Sequence, residues 1–117
     1  MSRVEDAIQW AVFDHIRVRG SRDLVAWHTP NGGKRNRIEA ARFKGLGVRA
    51  GVSDLVAVHR GRIFALELKA PGGSATETQL KFIADMERAG ASTCVADGLD
   101  EALAVLEAWG LLRGATQ

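Results

Sequence analysis

The sequence has little that could support a disulfide framework or a membrane span. Only one of its 117 residues is cysteine, Cys94, so a single chain can build neither an internal disulfide nor a thiolate metal site. No apolar run approaches the ~20 residues that cross a bilayer, and the opening residues MSRVEDAIQW mix charges into a helical pattern, unlike a signal peptide. We therefore expect a soluble, cytoplasmic protein with Cys94 in its core.

Histidine is also scarce, and its spacing argues against a zinc site. His15, His28 and His59 do not have helical pair spacing, whereas zinc needs several nitrogen or sulfur ligands close together. The chain is instead rich in apolar residues, at 46%, which is enough for one compact domain. We predict a single domain over residues 1–117, in which 113–117 form a frayed tail.

Hydrophobic periodicity predicts eight elements in the order α-β-α-β-β-α-β-α. Helices are expected at about residues 3–18 and 36–46, between a 74–77 capping box and Gly90, and at 99–112; strands are expected at 24–29, 53–58, 62–69 and 92–96. Leu80, Ile83 and Met86 have the spacing of the buried face of the third helix. This order predicts an α/β domain with a mixed central sheet flanked by helices.

Positive charge is concentrated in one segment, although the whole chain carries only +2. Between residues 34 and 49 six basic residues stand against the single acid Glu39, which gives this basic segment a charge of +5 and leaves −3 for the rest. A local excess of this kind is typical of a surface that meets phosphates. A solvated helix face, or a surface for an acidic protein partner, would have the same composition.

The stretch GVSDLVAVHRGRIFALELKA, residues 51–70, predicts a β-hairpin whose charges collect at one end. With Arg60 and Gly61 in the turn, Asp54 lies opposite Glu67. Lys69 lies on the same face as Glu67, because side chains alternate along a strand. Both faces are apolar toward the turn, which predicts a hairpin that is covered on both sides.

Two carboxylates and a lysine at the open end of a hairpin suit a hard divalent cation. Opposed carboxylates repel unless a positive charge lies between them, and Mg²⁺ commonly binds one or two carboxylates together with water and phosphate. Lys69 would then stabilise negative charge near the reacting phosphate. In the alternative interpretation Glu67 and Lys69 end a strand in solvent, and Asp54 belongs to the bend that follows Gly51.

Several motifs follow one another in a set order along the chain. They are Glu5 in the first helix, the loop PNGGKRN at 30–36, the segment FKGLGVRAGVSD at 43–54, ELK at 67–69 and Gln79 in the next helix. This ordered set, which covers most of the chain, resembles the virus-type replication-repair nuclease (VRR-NUC) domain of the PD-(D/E)xK nuclease superfamily. Ser53 departs from the pattern, since family members usually have proline there; proline would stiffen the chain but supplies no ligand.

The resemblance implies a PD-(D/E)xK restriction-endonuclease-like core and a DNA endonuclease that depends on Mg²⁺ or Mn²⁺. Taken alone, Glu5 is also an ordinary first-turn acid that compensates the helix dipole, and Gln79 could simply be exposed. The implied metal ligands are Asp54, Glu67, Glu5 and the backbone carbonyl of Leu68, and the implied catalytic residues are Asp54, Glu67, Lys69 and Gln79.

The basic segment and the loop before it would hold DNA by its phosphates. Gly32 and Gly33 in that loop let the backbone approach a partner closely. A non-catalytic nucleic-acid-binding module on the same fold is the main alternative, although a pure binder gains nothing from two acids near phosphate. The expected DNA contacts are His28, Asn31, Lys34, Arg35, Arg37, Arg42, Lys44 and Arg49.

Small stand-alone VRR-NUC proteins are associated with dimers and with cleavage of branched DNA. The resemblance therefore implies a homodimer that cuts four-way (Holliday) junctions in DNA repair, in a bacterial cell or a phage-infected host. A two-fold symmetric junction also needs two active sites related by a two-fold axis. Leu106, Trp109, Leu111 and Leu112 form an apolar C-terminal face that could supply part of the interface or could only cover the sheet.

Overall fold

The computed structural model describes residues 3–30 and 36–114. Eight elements follow one another in the predicted order α-β-α-β-β-α-β-α. No helix in these two ranges combines the length and the apolar character that a bilayer span requires. The helices are α1 Arg3–Arg19, α2 Arg37–Gly45, α3 Glu77–Arg88 and α4 Leu99–Ala108, and the strands are β1 Leu24–His28, β2 Leu55–His59, β3 Arg62–Lys69 and β4 Ser92–Asp97.

The four strands form one mixed sheet in the order β1-β2-β3-β4. β1 pairs antiparallel with β2 and β2 pairs antiparallel with β3, whereas β3 and β4 run parallel. A parallel pair needs a crossover connection, and α3 is part of that crossover. The prediction of an α/β domain with a mixed, helix-flanked sheet is therefore confirmed.

The β2–β3 hairpin has the turn and the register that the sequence predicts. Arg60 and Gly61 both have positive φ, 50° and 79°, as a two-residue type I′ turn requires. Leu55 pairs with Leu66, and each following pair keeps this register. The register brings the residue before β2, Asp54, to the same open end of the hairpin as Glu67.

The main core lies on the sheet face that α1 and α4 cover. Its residues on β2 and β3 alternate with those of the opposite face, as the period of a strand requires. Cys94 is partly buried against this core. The fully buried strand residues are Leu55, Ala57, Phe64, Leu66 and Leu68, and the helices add Ile8, Val12, Ala102 and Leu106.

The C-terminal apolar residues close the core of the chain's own domain. α4 ends at Ala108, earlier than the predicted residue 112, and the chain after it turns back toward α1. There Gly20 forms a bridge with Leu112, and Ser21 N donates to the oxygen of Leu111 over 2.9 Å. Leu106, Leu111 and Leu112 are buried and the Trp109 ring lies 5.1 Å from that of Phe64, so of the two roles considered for this face the structure shows that it covers the sheet.

α3 covers the other sheet face over β3 and β4, but its cap and its buried side differ from the prediction. The capping box is Thr76–Gln79 and not 74–77: the Thr76 hydroxyl accepts from Gln79 N, and Gln79 Oε1 accepts from Thr76 N. The sequence contains two overlapping candidates with the same spacing, and the later one forms. Phe82 and Ile83 are buried, whereas Leu80 is 50% exposed.

α2 stands away from the other elements. No Cα atom of α2 lies within 8 Å of one in another described helix or strand. Asn36 caps its start, since Asn36 Oδ1 accepts from Glu39 N over 2.8 Å, and a turn at Leu46 and Gly47 ends it. None of its residues is buried, and Ile38 is 82% exposed. α2 therefore presents the middle of the basic segment to solvent.

Candidate active site

The three charged residues at the open end of the hairpin are buried. Asp54 is 5% exposed, Glu67 2% and Lys69 7%. This rules out the interpretation in which Glu67 and Lys69 merely end a strand in solvent. Because burial of charge is costly unless the charges are paired and hydrogen-bonded, the arrangement needs an explanation other than stability.

Asp54 is held from both neighbouring strands. Its Oδ2 accepts a hydrogen bond from Leu68 N over 2.8 Å, across the hairpin. His28, the last residue of β1, donates from Nδ1 to the backbone oxygen of Asp54 over 2.6 Å. The carboxylate therefore has a fixed direction before any ligand arrives, although Asp54 itself lies just outside β2.

Glu67 is held by two side chains and keeps one oxygen unpaired. Its Oε2 accepts from Gln79 Nε2 over 3.0 Å and lies 3.6 Å from Lys69 Nζ. Its Oε1 is buried and has no hydrogen-bond partner among the described residues. Gln79 thus has two roles, because its oxygen caps α3 and its amide nitrogen orients Glu67.

Burial and the neighbouring acid raise the pKa of Glu67 to about 8. Loss of hydration is the largest cause, and Asp54 adds to it, whereas the Lys69 ammonium lowers the pKa. A carboxyl group with this pKa holds its proton at neutral pH unless another positive charge replaces it. The electrostatics of the site therefore favour a cation next to Glu67.

The oxygen atoms available here fit a hard divalent metal ion. Asp54 and the unpaired, buried Oε1 of Glu67 supply the two carboxylates through which Mg²⁺ is commonly bound, the rest of its shell being water and phosphate. No three histidine, cysteine, aspartate or glutamate side chains within 3–30 and 36–114 lie close enough together to hold a metal. Glu5, partly buried in the first turn of α1, and the carbonyl of Leu68 stay predicted ligands.

Two polar residues near the site, Ser53 and Gln9, were not among the predicted site residues. Ser53 Oγ and both polar atoms of the Gln9 side chain are buried without a hydrogen-bond partner in the described chain. Ser53 directly precedes Asp54, and Gln9 lies one turn after Glu5 on the same face of α1. In the sequence, only the position of Gln9 next to the apolar stripe of α1 indicates that its side chain could be buried.

Gln9 and His28 line the same cavity. Its volume is about 300 Å³, and its wall includes His28, which holds the backbone of Asp54. A buried amide with no partner, beside a cavity, is available to a ligand or to ordered water. The lining residues are Gln9, Trp10, Phe13, Arg17 and His28.

The predicted DNA contacts fall into four groups. Arg37, Arg42 and Lys44 are exposed on or near the free surface of α2. Arg49, in the loop after α2, forms an ion pair with Asp85 of α3. Asn31, Lys34 and Arg35 lie outside the described residues, and His28 contacts the candidate active site as given above.

Comparison with known proteins bears on the fold and on the family resemblance. No protein-family model matches the chain, and no curated protein matches it in sequence. A solved structure described as "VRR_NUC domain protein" is similar to it with a TM-score of 0.73 and 27% identity, over 93% of this chain and 89% of the other. This structural similarity supports the VRR-NUC resemblance that the sequence motifs predicted, and with it a nuclease-family domain.

Proposed function

We propose that this protein is an endonuclease that hydrolyses DNA phosphodiester bonds with a divalent metal ion, Mg²⁺ or Mn²⁺. The observation that carries the proposal is the buried set of Asp54, Glu67 and Lys69, in which one carboxylate oxygen has no partner among the described residues. Two buried acids side by side weaken a fold unless positive charge offsets them, and the Lys69 ammonium, 3.6 Å from Glu67 Oε2, still leaves the pKa of Glu67 raised to about 8. A bound metal ion would relieve the repulsion between the carboxylates, and this relief would contribute to the affinity for the metal.

When bound, the metal would lower the pKa of a water molecule and neutralise charge on the scissile phosphate. Asp54 and Glu67 would hold it, and their carboxylates are already oriented by Leu68 N and by Gln79 Nε2. Lys69 Nζ, 3.6 Å from Glu67 Oε2, would stabilise the negative charge that develops on the phosphate oxygens. The positions are fixed before substrate binds, so little reorganisation accompanies the reaction.

The charge distribution of α2 supports DNA as the substrate. Its exposed arginine and lysine side chains point away from the core and can meet a phosphate backbone without base contacts. A non-catalytic binding module would use the same surface, but it would gain nothing from the buried acid pair. The protein would accordingly bind many sequences and lose affinity steeply as salt rises.

Branched DNA, with four-way junctions first, is the proposed preferred substrate, and a homodimer the proposed active form. One site makes one nick, so a two-fold junction calls for two sites related by a two-fold axis. The C-terminal residues are occupied in the core, but Val25, Trp27 and Ile63 are exposed on the sheet face opposite to that core. This apolar surface of β1 and β3 is the remaining candidate for contact with a second copy.

The decisive experiment is cleavage of a panel of labelled four-way junctions, flaps and linear duplexes with Mg²⁺, with Mn²⁺ and with EDTA. We expect metal-dependent cuts, fastest on the junction. Glu67→Gln should be inactive, whereas Glu101→Gln, which changes an exposed acid of α4, should cut like the native chain. Binding without cleavage under every metal condition would favour the non-catalytic alternative, and equal rates on junction and duplex would leave a general nuclease.

A further inference from the structure

A second concave site lies between α2 and α3, outside the carboxylate pair. Its volume is about 580 Å³, within the range of pockets that bind small molecules. One wall comes from α2 and the loop after it, and the other from one face of α3. The lining residues are Ala40, Phe43, Lys44, Gly47, Val48, Arg49, Ala50, Thr78, Lys81 and Asp85.

The interior of this α2–α3 cleft is apolar and aromatic. Phe43 and Val48 line it together with two alanines, and Arg49 stacks its guanidinium over the Phe82 ring at 5.2 Å. Phe43 is the aromatic residue of the lining, and an aromatic ring suits the face of a nucleobase, since every base can stack on an aromatic side chain. A base inside a duplex is already stacked and cannot enter a concave site.

The rim of the cleft carries an excess of positive charge. Asp85 is its one carboxylate, and Arg49, Lys81 and Arg88 all pair with it. Arg88 itself does not line the cleft, so together with Lys44 the lining carries three cations against one anion, a net charge of +2. A phosphate group is therefore attracted to the rim while a base occupies the interior, which is the charge pattern of a single nucleotide.

The cleft adjoins the candidate active site through both of its walls. Thr78 precedes Gln79, whose amide holds Glu67 at 3.0 Å. On the other wall the chain runs from Ala50 to Asp54, and Gly51 packs so tightly on α3 that a β-carbon there would come 2.5 Å from the backbone oxygen of Thr78. Four residues span at most about 14 Å, which is about four stacked nucleotides at 3.4 Å each.

We infer that the α2–α3 cleft binds an unpaired nucleotide of the DNA strand, with its base against Phe43 and its phosphate at the rim formed by Lys44 and Lys81. The inference rests on the proposed nuclease function and adds to it how the substrate is chosen. A duplex without a break offers no base to the cleft. DNA with an unpaired nucleotide within about four positions of the scissile phosphate is therefore held at two points.

The test uses single substitutions of Phe43 and two matched substrates. Phe43→Ala and Phe43→Leu remove the aromatic face, Phe43→Trp keeps it, and Ile38→Ala changes an exposed apolar residue of the same helix that does not line the cleft. The substrates are a linear duplex and the same duplex with a short unpaired segment, in which one unpaired adenine is replaced in turn by the fluorescent analogue 2-aminopurine. Binding is measured with the Glu67→Gln background and cleavage with Glu67 intact.

We expect the 2-aminopurine fluorescence to fall on binding at one or two unpaired positions, through stacking on Phe43. Phe43→Ala and Phe43→Leu should abolish this decrease and weaken binding of the unpaired substrate about tenfold or more, with duplex binding changed less than twofold. Phe43→Trp and Ile38→Ala should behave like the native chain. Equal losses on both substrates, or no loss with Phe43→Leu, would overturn the assignment of the cleft.

The fluorescence measurement separates this inference from the proposed catalysis. If the native chain cuts no DNA but the decrease at the unpaired position disappears with Phe43→Leu, the nuclease proposal fails and the nucleotide site stands. If the chain cuts DNA in a metal-dependent reaction but the fluorescence is unchanged at every position, the nuclease stands and the cleft does not bind a nucleotide. If the cleft instead binds a second copy of the chain, the fluorescence is likewise unchanged at every position.

Discussion

At the open end of the β2–β3 hairpin three charged side chains are buried within one small volume, whereas on α2 every charged side chain is exposed. The buried charges are few, fixed by hydrogen bonds and strongly coupled, so each should respond to substitution with a large change. The exposed charges of α2 act through a screened field, and each contributes a small share. The same residue types would thus act in catalysis where they are buried and attract DNA phosphates where they are exposed. The difference lies in their burial.

The largest effects are expected from the buried set. Asp54→Asn, Glu67→Gln and Lys69→Ala should each lower the cleavage rate by on the order of a thousandfold or more, because each removes a ligand or a charge that the transition state needs. DNA affinity should stay within a few fold, since α2 is untouched. Rates are measured at saturating Mg²⁺, with affinity followed separately by fluorescence anisotropy.

Glu101→Gln provides the control for these three substitutions, because it alters an exposed acid far from the hairpin in sequence. Native-like cleavage by Glu67→Gln would contradict the assignment of the site. So would cleavage by the native chain in excess EDTA.

The stability of the metal-free protein should depend on the protonation of Glu67. Its pKa in the folded chain, about 8 against an ordinary 4.5, means that the folded state binds this proton more tightly than the unfolded state. Its contribution to the free energy of unfolding is therefore fully present below pH 4.5 and is lost as the pH rises through 8. At 1.36 kcal/mol per unit, the loss is at most about 5 kcal/mol.

Urea unfolding in EDTA at several pH values between 5 and 8.5 measures this loss. Glu67→Gln should be nearly independent of pH over that range and more stable than the native chain at pH 8. Mg²⁺ should restore the stability of the native chain at pH 8 and leave the stability of the variant unchanged, because the ion replaces the proton next to the Glu67 carboxylate. Parallel pH profiles for the two proteins would show that Glu67 is not the group responsible.

An intermediate effect is expected at Gln79, which belongs to the site and to a helix cap at once. Gln79→Glu keeps an oxygen that can accept from Thr76 N, as in a usual capping box, but loses the amide that donates to Glu67. Cleavage should fall 10- to 100-fold, and the Tm of the metal-free protein should fall because a carboxylate replaces the amide beside Glu67. Gln79→Ala should lose both functions and also about 1 kcal/mol of stability. Native-like Tm and native-like cleavage for Gln79→Ala would argue against the double role.

The smallest effects are expected on α2. Arg42→Ala together with Lys44→Ala should weaken binding to all DNA sequences alike and flatten the slope of log K against log salt by about 0.9 per lost contact. Tm should not change, because α2 has no buried residue. Lys34→Ala with Arg35→Ala forms a second pair from the adjoining loop. Loss of affinity for one sequence only would mean that these residues read bases.

The sequence predicted most of the sheet and much of the site, for local reasons. Alternation along 53–58 and 62–69, with Arg60-Gly61 as turn, determines the hairpin register, and the register alone brings Asp54 to Glu67. The capping box was assigned too early because Ser74 and Thr76 offer the same spacing, and tertiary contacts choose between them. The end of α4 was placed too late since Leu111 and Leu112 continue the apolar pattern as a bridge to Gly20.

Other features depend on packing between segments that are distant in the sequence, and the sequence alone does not predict them. α2 stands apart from the other described elements and has no buried residue, and composition alone does not show this. The burial of Glu67 and its raised pKa result from α3 covering β3. Gln9 is polar and lies beside an apolar stripe, and only the packing of α1 shows that its amide is buried without a partner in the described chain.

The β-bridge between Gly20 and Leu112 forms a seam between the end of α1 and the C-terminal segment. This seam bears on the order in which parts of the chain fold. Asp54 and Glu67 are thirteen residues apart, whereas the seam joins residues 92 apart, and closing the longer loop costs roughly 2 kcal/mol more in chain entropy. We therefore expect the acid pair to meet early and the seam to form late. Low pH or Mg²⁺ should then speed refolding in stopped-flow experiments, whereas Ser21→Ala, which removes a seam hydrogen bond to Gly110, should mainly speed unfolding. The opposite pattern would place the seam in the folding nucleus.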